Sequence, residues 1–123
     1  MKPAKRGISR IIAAFFYSLQ GIKSCLKHEE AFRQEAALVL LLLPVILFLP
    51  VATTTKLSLF LVNMLILIVE MLNSAIEAIV DMTSPEYHDL AKRAKDVGSG
   101  AVFLAILTAS VFWLHALFGI YSK

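Results

Sequence analysis

One cysteine, Cys25, occurs in 123 residues, so no internal disulfide can form and the fold does not depend on an oxidising compartment. Cys25 itself reads as a small apolar packing residue. There is no CxxC and no HExxH, and His28, His88 and His115 stand alone, so zinc chemistry has no support. Of the three histidines, His88 is closest to chemistry because it adjoins Glu86 and a basic cluster. Glycine is sparse as well. Gly7, Gly21, Gly98, Gly100 and Gly119 are too scattered to build a phosphate-cradling loop, and no GxxxxGK[ST] is present. Any nucleotide site must therefore be of another kind.

Apolar side chains are abundant. Hydrophobic residues make up 59% of the chain and the mean hydropathy is +0.77, well beyond the roughly half-apolar composition of soluble domains. A membrane protein is expected, and residues 1–123 leave no room for a separate soluble domain. One compact unit follows, with its chemistry built from membrane helices and their flanks. The net charge of +3, with its bases unevenly placed, suits anionic headgroups better than nucleic acid, and no nucleic-acid partner is expected. The apolar run Ile11 to Phe16 is soon followed by Ser18, Gln20 and Lys23, unlike a signal peptide, so the N-terminus is expected to be retained.

Between residues 7 and 28, Ile8, Ile11, Ile12, Phe15, Phe16, Leu19, Ile22 and Leu26 recur near a 3.6-residue period, with Arg10, Gln20, Lys23 and Lys27 mostly off that stripe. This predicts an amphipathic helix lying on the bilayer surface. Three transmembrane helices are expected at 36–52, 57–82 and 98–121. The "TTTK" after the first span reads as the turn back, and 83–97 reads as a cytoplasmic loop containing a helix start with Ser84 as cap and Pro85 in the first turn. Lys2, Lys5, Arg6, Arg10, Lys23, Lys27 and Arg33 precede the first span. Lys92, Arg93 and Lys95 fall in the second loop, against Lys56 in the first loop and Lys123 at the end. By the positive-inside rule the N-terminus and second loop are cytoplasmic and the C-terminus lies outside.

The second span carries "EMLNSAIEAIVD" from Glu70 to Asp81 with no turn residue to accommodate its polar groups. With Glu70 at zero and about 100° per residue, Asn73 falls near 300°, Ser74 near 40°, Glu77 near 340° and Asp81 near 20°, a single polar face. The rise from Leu57 to Glu70 is about 20 Å, which puts Glu70 on the cytoplasmic side of the hydrocarbon centre. A carboxylate there costs roughly 3 kcal/mol on an insertion scale and marks function more often than packing. Asp81 reads instead as an interfacial solvated charge. The remaining acids, Glu29, Glu30, Glu35, Glu86, Asp89 and Asp96, lie at the same end. Carboxylates beside Lys92, Arg93 and Lys95 suggest oxygen ligands for Mg²⁺ and cations for phosphate.

"EAFRQE" (Glu30 to Glu35), "EMLNSAIEAIVD" and "EYHDLAKRAKDVGSGAV" (Glu86 to Val102) together resemble the small prokaryotic integral-membrane diacylglycerol kinases over nearly the whole chain. The resemblance implies an all-α homotrimer of three-span subunits in the bacterial inner membrane. Its active sites would be shared between neighbouring chains and would transfer the γ-phosphate of Mg·ATP to diacylglycerol. It further implies Glu70 as general base with Asn73 at the reacting centre, Glu29 and Glu77 as metal carboxylates, and Arg10, Tyr17, Glu86, His88, Lys95 and Asp96 as nucleotide contacts. Arg10, Glu35, Glu70 and Ser99 would meet the lipid substrate. Lys92 stands where the family carries a small residue and receives no role. The roles are physically coherent, since phosphoryl transfer needs mainly positioning and charge neutralisation, and a partly desolvated carboxylate is a fit base for a lipid hydroxyl.

Two other readings compete. A related branch phosphorylates undecaprenol, although "AFRQE" resembles the diacylglycerol branch more closely. A proton or cation pathway would also place carboxylates in a membrane, but no charged residue lies between Lys56 and Glu70, or after Asp96 until Lys123, so an ion would meet a dry outer half. An inert assembly subunit would leave the one-ended clustering of acids unexplained.

Overall fold

The computed structural model describes residues 6–122; Lys2, Lys5 and Lys123, part of the charge asymmetry above, lie outside the described residues. Four α-helices follow in order: α1 (Ile8–His28), α2 (Glu30–Phe48), α3 (Thr53–Thr83) and α4 (Asp89–Tyr121). The last three are long and apolar enough to cross a membrane. Gly7 opens α1 with a φ of 63°, a backbone state that its missing Cβ makes accessible. No residue of α1 is buried, and Ile8, Ile11, Phe15 and Phe16 lie on an exposed apolar face. That is the form of a helix made to rest on a bilayer.

α2 spans 19 residues, about 28 Å, while α3 with 31 and α4 with 33 reach about 46 and 50 Å. The hydrocarbon core is only about 30 Å thick. Counting some 20 residues inward from Thr53 on α3 reaches Asn73, and a similar count back from Tyr121 on α4 reaches Ala101. The surplus turns of both helices therefore extend beyond a membrane's thickness at one end, and they carry the outer part of the polar stripe, from Ser74 to Asp81, and the basic cluster.

α3 and α4 pack along most of their length. The buried residues of α4 are Gly98, Ala105, Ala109 and Ala116, those of α3 are Leu59, Val62, Asn63, Glu70, Asn73 and Ser74, and across the two helices Gly98 meets Asn73 and Ala116 clusters with Leu59. Small residues at this near-heptad spacing let two membrane helices approach closely, which is the main source of their attraction in lipid. Ile46, Leu59 and Ala116 form an apolar centre toward the opposite end, with Leu49 and Trp113 against it. One turn inward from Leu59, Trp113 Nε1 donates to Asn63 Oδ1 at 3.1 Å.

Four expectations about boundaries need correcting. "TTTK" is not the turn but the first turn of α3. The reversal lies at Leu49–Ala52, where Pro50 ends α2 and Lys56 Nζ donates to the Leu47 carbonyl at 2.6 Å, satisfying an acceptor freed by the helix end. Ser84 terminates α3 rather than capping the next helix. The cap of α4 is His88, whose Nδ1 accepts from the Leu90 N–H at 3.1 Å. Much of the expected 83–97 loop is consequently helix, and α2 begins at Glu30, a turn and a half before the expected span.

Candidate functional site

Helical spacing turns Glu70, Asn73 and Ser74 into the α3 interior, where they are 7%, 8% and 7% exposed. Glu77, one turn further, is half-buried, and Asp81 is exposed. The stripe thus runs from protein interior to surface along one helix face. Asn73 Nδ2 donates to Glu77 Oε1 at 3.2 Å, which fixes the amide so that its Oδ1 points away. That Oδ1 is buried, without a hydrogen-bond donor among the described residues, and rests against Gly98 of α4. A Cβ at Gly98 would collide with it, so the glycine is what admits Asn73 to this position.

Glu35 approaches the same group from α2. Its half-buried carboxyl lies close enough to that of Glu70 for the two charges to act on each other, and its Oε2 is buried with no hydrogen-bond partner among the described residues. Glu29, in the break between α1 and α2, and Glu77 are near enough for their charges to act on Glu70. Cys25, one turn before the break, also senses this centre: burial, then the charges of Glu29 and Glu70, push its thiol above the ordinary range. Four carboxylates, two from α3, one from α2 and one from the break before it, therefore lie in the neighbourhood of one buried amide.

A second group adjoins the first. Asp81 Oδ1 accepts from Lys95 Nζ at 2.5 Å and Asp96 Oδ2 from Lys92 Nζ at 2.6 Å, both exposed pairs of small individual worth. Glu77 is close enough for its charge to act on Lys95, which links the two groups. Asp81, Glu86, His88, Lys92, Lys95 and Asp96 line an open depression of about 300 Å³. The site residues read from the sequence thus fall into a carboxylate centre (Glu29, Glu35, Glu70, Asn73, Glu77) and an adjoining charged depression (Glu86, His88, Lys95, Asp96). Ser99 follows Gly98 at the same level but faces outward.

Arg10 and Tyr17 are not brought to either group. Both are exposed on α1, and 19 residues from Arg10 to Glu29 amount to about 28 Å of helix. Asp81 is exposed, as expected of an interfacial charge, and its pairing with Lys95 of α4 is what sequence periodicity does not contain. Gly98 was missed, its signal being a glycine kept inside a helix at a cost of about 1 kcal/mol.

Glu29 and Glu77 offer hard oxygen donors, but no group of three or more acidic, histidine or cysteine side chains poised around an ion is found among the described residues. That donor set does not make a closed cage. It fits Mg²⁺, which keeps water and phosphate oxygens and needs only one or two protein carboxylates.

A family model described as prokaryotic diacylglycerol kinase matches residues 16–117. The diacylglycerol kinase of Escherichia coli (strain K12) is 48% identical over 107 residues, covering 87% of this chain and 88% of that protein. That of Pseudomonas aeruginosa PAO1 is 45% identical over 113 residues, 92% of each chain. The Helicobacter pylori (strain 26695) protein of the same name is 36% identical over 121 residues, 98% of this chain and 94% of its own. With three apolar helices of spanning length and a match of this extent, the chain is a multi-pass membrane protein belonging to the prokaryotic diacylglycerol kinase family.

Proposed function

We propose that the protein phosphorylates diacylglycerol to phosphatidic acid with Mg·ATP, as one membrane-embedded catalytic unit at the cytoplasmic face of the bacterial inner membrane. The observation that carries this reading is the buried Glu70 carboxyl near the end of the membrane-length part of α3, on one helix face with the buried Asn73 and its hydrogen-bonded Glu77. A lipid alcohol and a water-soluble triphosphate can meet only at a membrane boundary.

In the proposed reaction Glu70 accepts the proton of the free glycerol hydroxyl as its oxygen attacks the γ-phosphorus. The new O–P bond forms as the bond to the β,γ-bridging oxygen breaks, ADP leaves, and Glu70 later returns its proton to water. Glu35 and Ser99 hold the glycerol end. Asn73 keeps Glu77 oriented, while Glu86, His88, Lys95 and Asp96 receive the nucleotide. Glu29 and Glu77 would hold Mg²⁺, which when bound neutralises charge on the phosphates. Lys95 must exchange Asp81 for phosphate, a change that an exposed ion pair permits at little cost.

The 28 Å between Arg10 and Glu29 along one helix supports a homotrimer in which Arg10 and Tyr17 of one chain serve the site of a neighbour. The topology that goes with this reading has the N-terminus cytoplasmic and the C-terminus periplasmic.

The test is transfer of ³²P from γ-labelled ATP into chloroform-extractable lipid by the purified protein in mixed micelles, offered diacylglycerol or undecaprenol. Diacylglycerol is expected to be labelled in preference. Preferential labelling of undecaprenol would move the protein to the other branch, and no label in either from folded protein would reject the kinase reading.

A further inference from the structure

Arg33 belongs to "EAFRQE", yet the reaction described above gives it no part. It lies in the first turn of α2, and its guanidinium reaches back across the break. Arg33 Nη1 donates to the carbonyls of Leu26 and Lys27, both at 3.0 Å. These two acceptors are in the last turn of α1, where the chain leaves the helix and no backbone N–H follows to meet them. The Glu29 N–H reaches back to Cys25 and the Glu29 carbonyl accepts from the Arg33 N–H at 3.1 Å, so Glu29 is bound on both sides in an extended conformation (φ −112°, ψ 107°).

The latch matters because α1 is held only lightly: no residue of it is fully buried, and it meets α2 and α3 mainly through its last turns, where Gly21 and Cys25 are half-buried. A guanidinium at a helix C-terminus also faces the negative end of the helix dipole and makes charge-assisted bonds with two carbonyls from one rigid fork. The residue enclosed by these contacts is Glu29, whose charge acts on Glu70.

We propose that Arg33 is a positioning residue: by clamping the last turn of α1 to the first turn of α2 it holds Glu29 where it can meet the metal of the nucleotide. This inference rests on the assignment of Glu29 as a metal carboxylate. Loss of the clamp lets α1 swing and Glu29 with it, while Glu70, Asn73 and Glu77 on α3 stay in place. The defect is therefore specific to metal and nucleotide, and the lipid alcohol is bound as before.

The test uses full-length protein in bilayer nanodiscs and compares Arg33→Gln, Arg33→Lys and Glu29→Gln with the natural sequence. Two quantities are read: the Mg²⁺ concentration for half-maximal turnover, and the mobility of a nitroxide on Cys25, the one cysteine, by electron paramagnetic resonance. Arg33→Gln is expected to raise the half-maximal Mg²⁺ concentration about tenfold, in line with the effect of supports behind a metal ligand, with KM for diacylglycerol within about twofold, and to free the nitroxide. Arg33→Lys, keeping a donor and the charge, is expected to recover part of both. An unchanged nitroxide spectrum in Arg33→Gln would overturn the clamp. A freed nitroxide with unchanged Mg²⁺ dependence would overturn the positioning claim, provided Glu29→Gln alters that dependence. If Glu29→Gln leaves the Mg²⁺ dependence intact, the metal assignment itself fails and the inference falls with it.

Discussion

Replacing Gly98 with alanine sets two opposed effects against each other at one atom. Taken alone, helix propensity favours alanine inside a helix by about 0.5–1 kcal/mol. At Gly98 the added Cβ meets Oδ1 of Asn73, whose amide is 8% exposed and bonded to Glu77. Forcing a methyl group into a filled site costs about 1–3 kcal/mol. Turning Asn73 aside to relieve it gives up a hydrogen bond to a carboxylate, worth about 1.5–3 kcal/mol. The clash outweighs the propensity, and a net loss of about 2 kcal/mol is expected. Because Asn73 supports a carboxylate assigned to the metal, turnover should fall about 10- to 100-fold. Gly100 supplies the control: nothing lies within 4 Å of its would-be Cβ, so Gly100→Ala should gain the propensity alone. Unfolding in sodium dodecyl sulfate, followed by the fluorescence of the single tryptophan, and phosphoryl transfer on the same samples give both numbers. Equal stability and full turnover in the two variants would refute the close-approach reasoning.

Two further outcomes follow from the geometry. The Cys25 thiol is held above its ordinary range by burial and then by Glu29 and Glu70, and only the thiolate reacts. Its alkylation by maleimide near neutral pH should therefore be slower than that of free cysteine, rising at higher pH, and Glu70→Gln should speed it at fixed pH by removing one negative neighbour. A pH profile matching the free thiol would contradict this. Asn63→Leu deletes the acceptor of Trp113 Nε1 but also an Nδ2 buried without a partner. Since hydrogen bonds between membrane helices average about 0.6 kcal/mol, stability should change by less than about 1 kcal/mol while the Trp113 emission moves to shorter wavelength. A large loss of stability, or an unmoved spectrum, would show that the pair does something else.

Periodicity was enough to find α1 and the buried-to-exposed run from Glu70 to Asp81, because both depend only on angles along one helix. Local composition misled where a contact from elsewhere decides the backbone. Three threonines suggest a turn, yet Pro50 ends α2 earlier and Lys56 closes the reversal from within α3. Ser84 and Pro85 look like a helix start, but the ring of His88 takes that role four residues later. The Asp81–Lys95 pair, the Arg33 clamp and the Asn73–Gly98 approach each join groups from two helices, or two sides of a break. No single-helix pattern contains them. Gly98 was half legible, since a glycine inside a helix asks for a reason, but its partner was not.

The central claim is a division of labour in which Glu70 serves the lipid hydroxyl while Glu29 and Glu77 serve the nucleotide. Single-turnover phosphoryl transfer by Glu70→Gln, with Mg·ATP affinity measured on the same protein, tests it most directly. The account predicts affinity within about twofold of the natural protein and a loss of at least about 100-fold in the transfer rate, the usual scale for a missing general base. Transfer at the natural rate, or a loss explained wholly by weakened Mg·ATP binding, would contradict it.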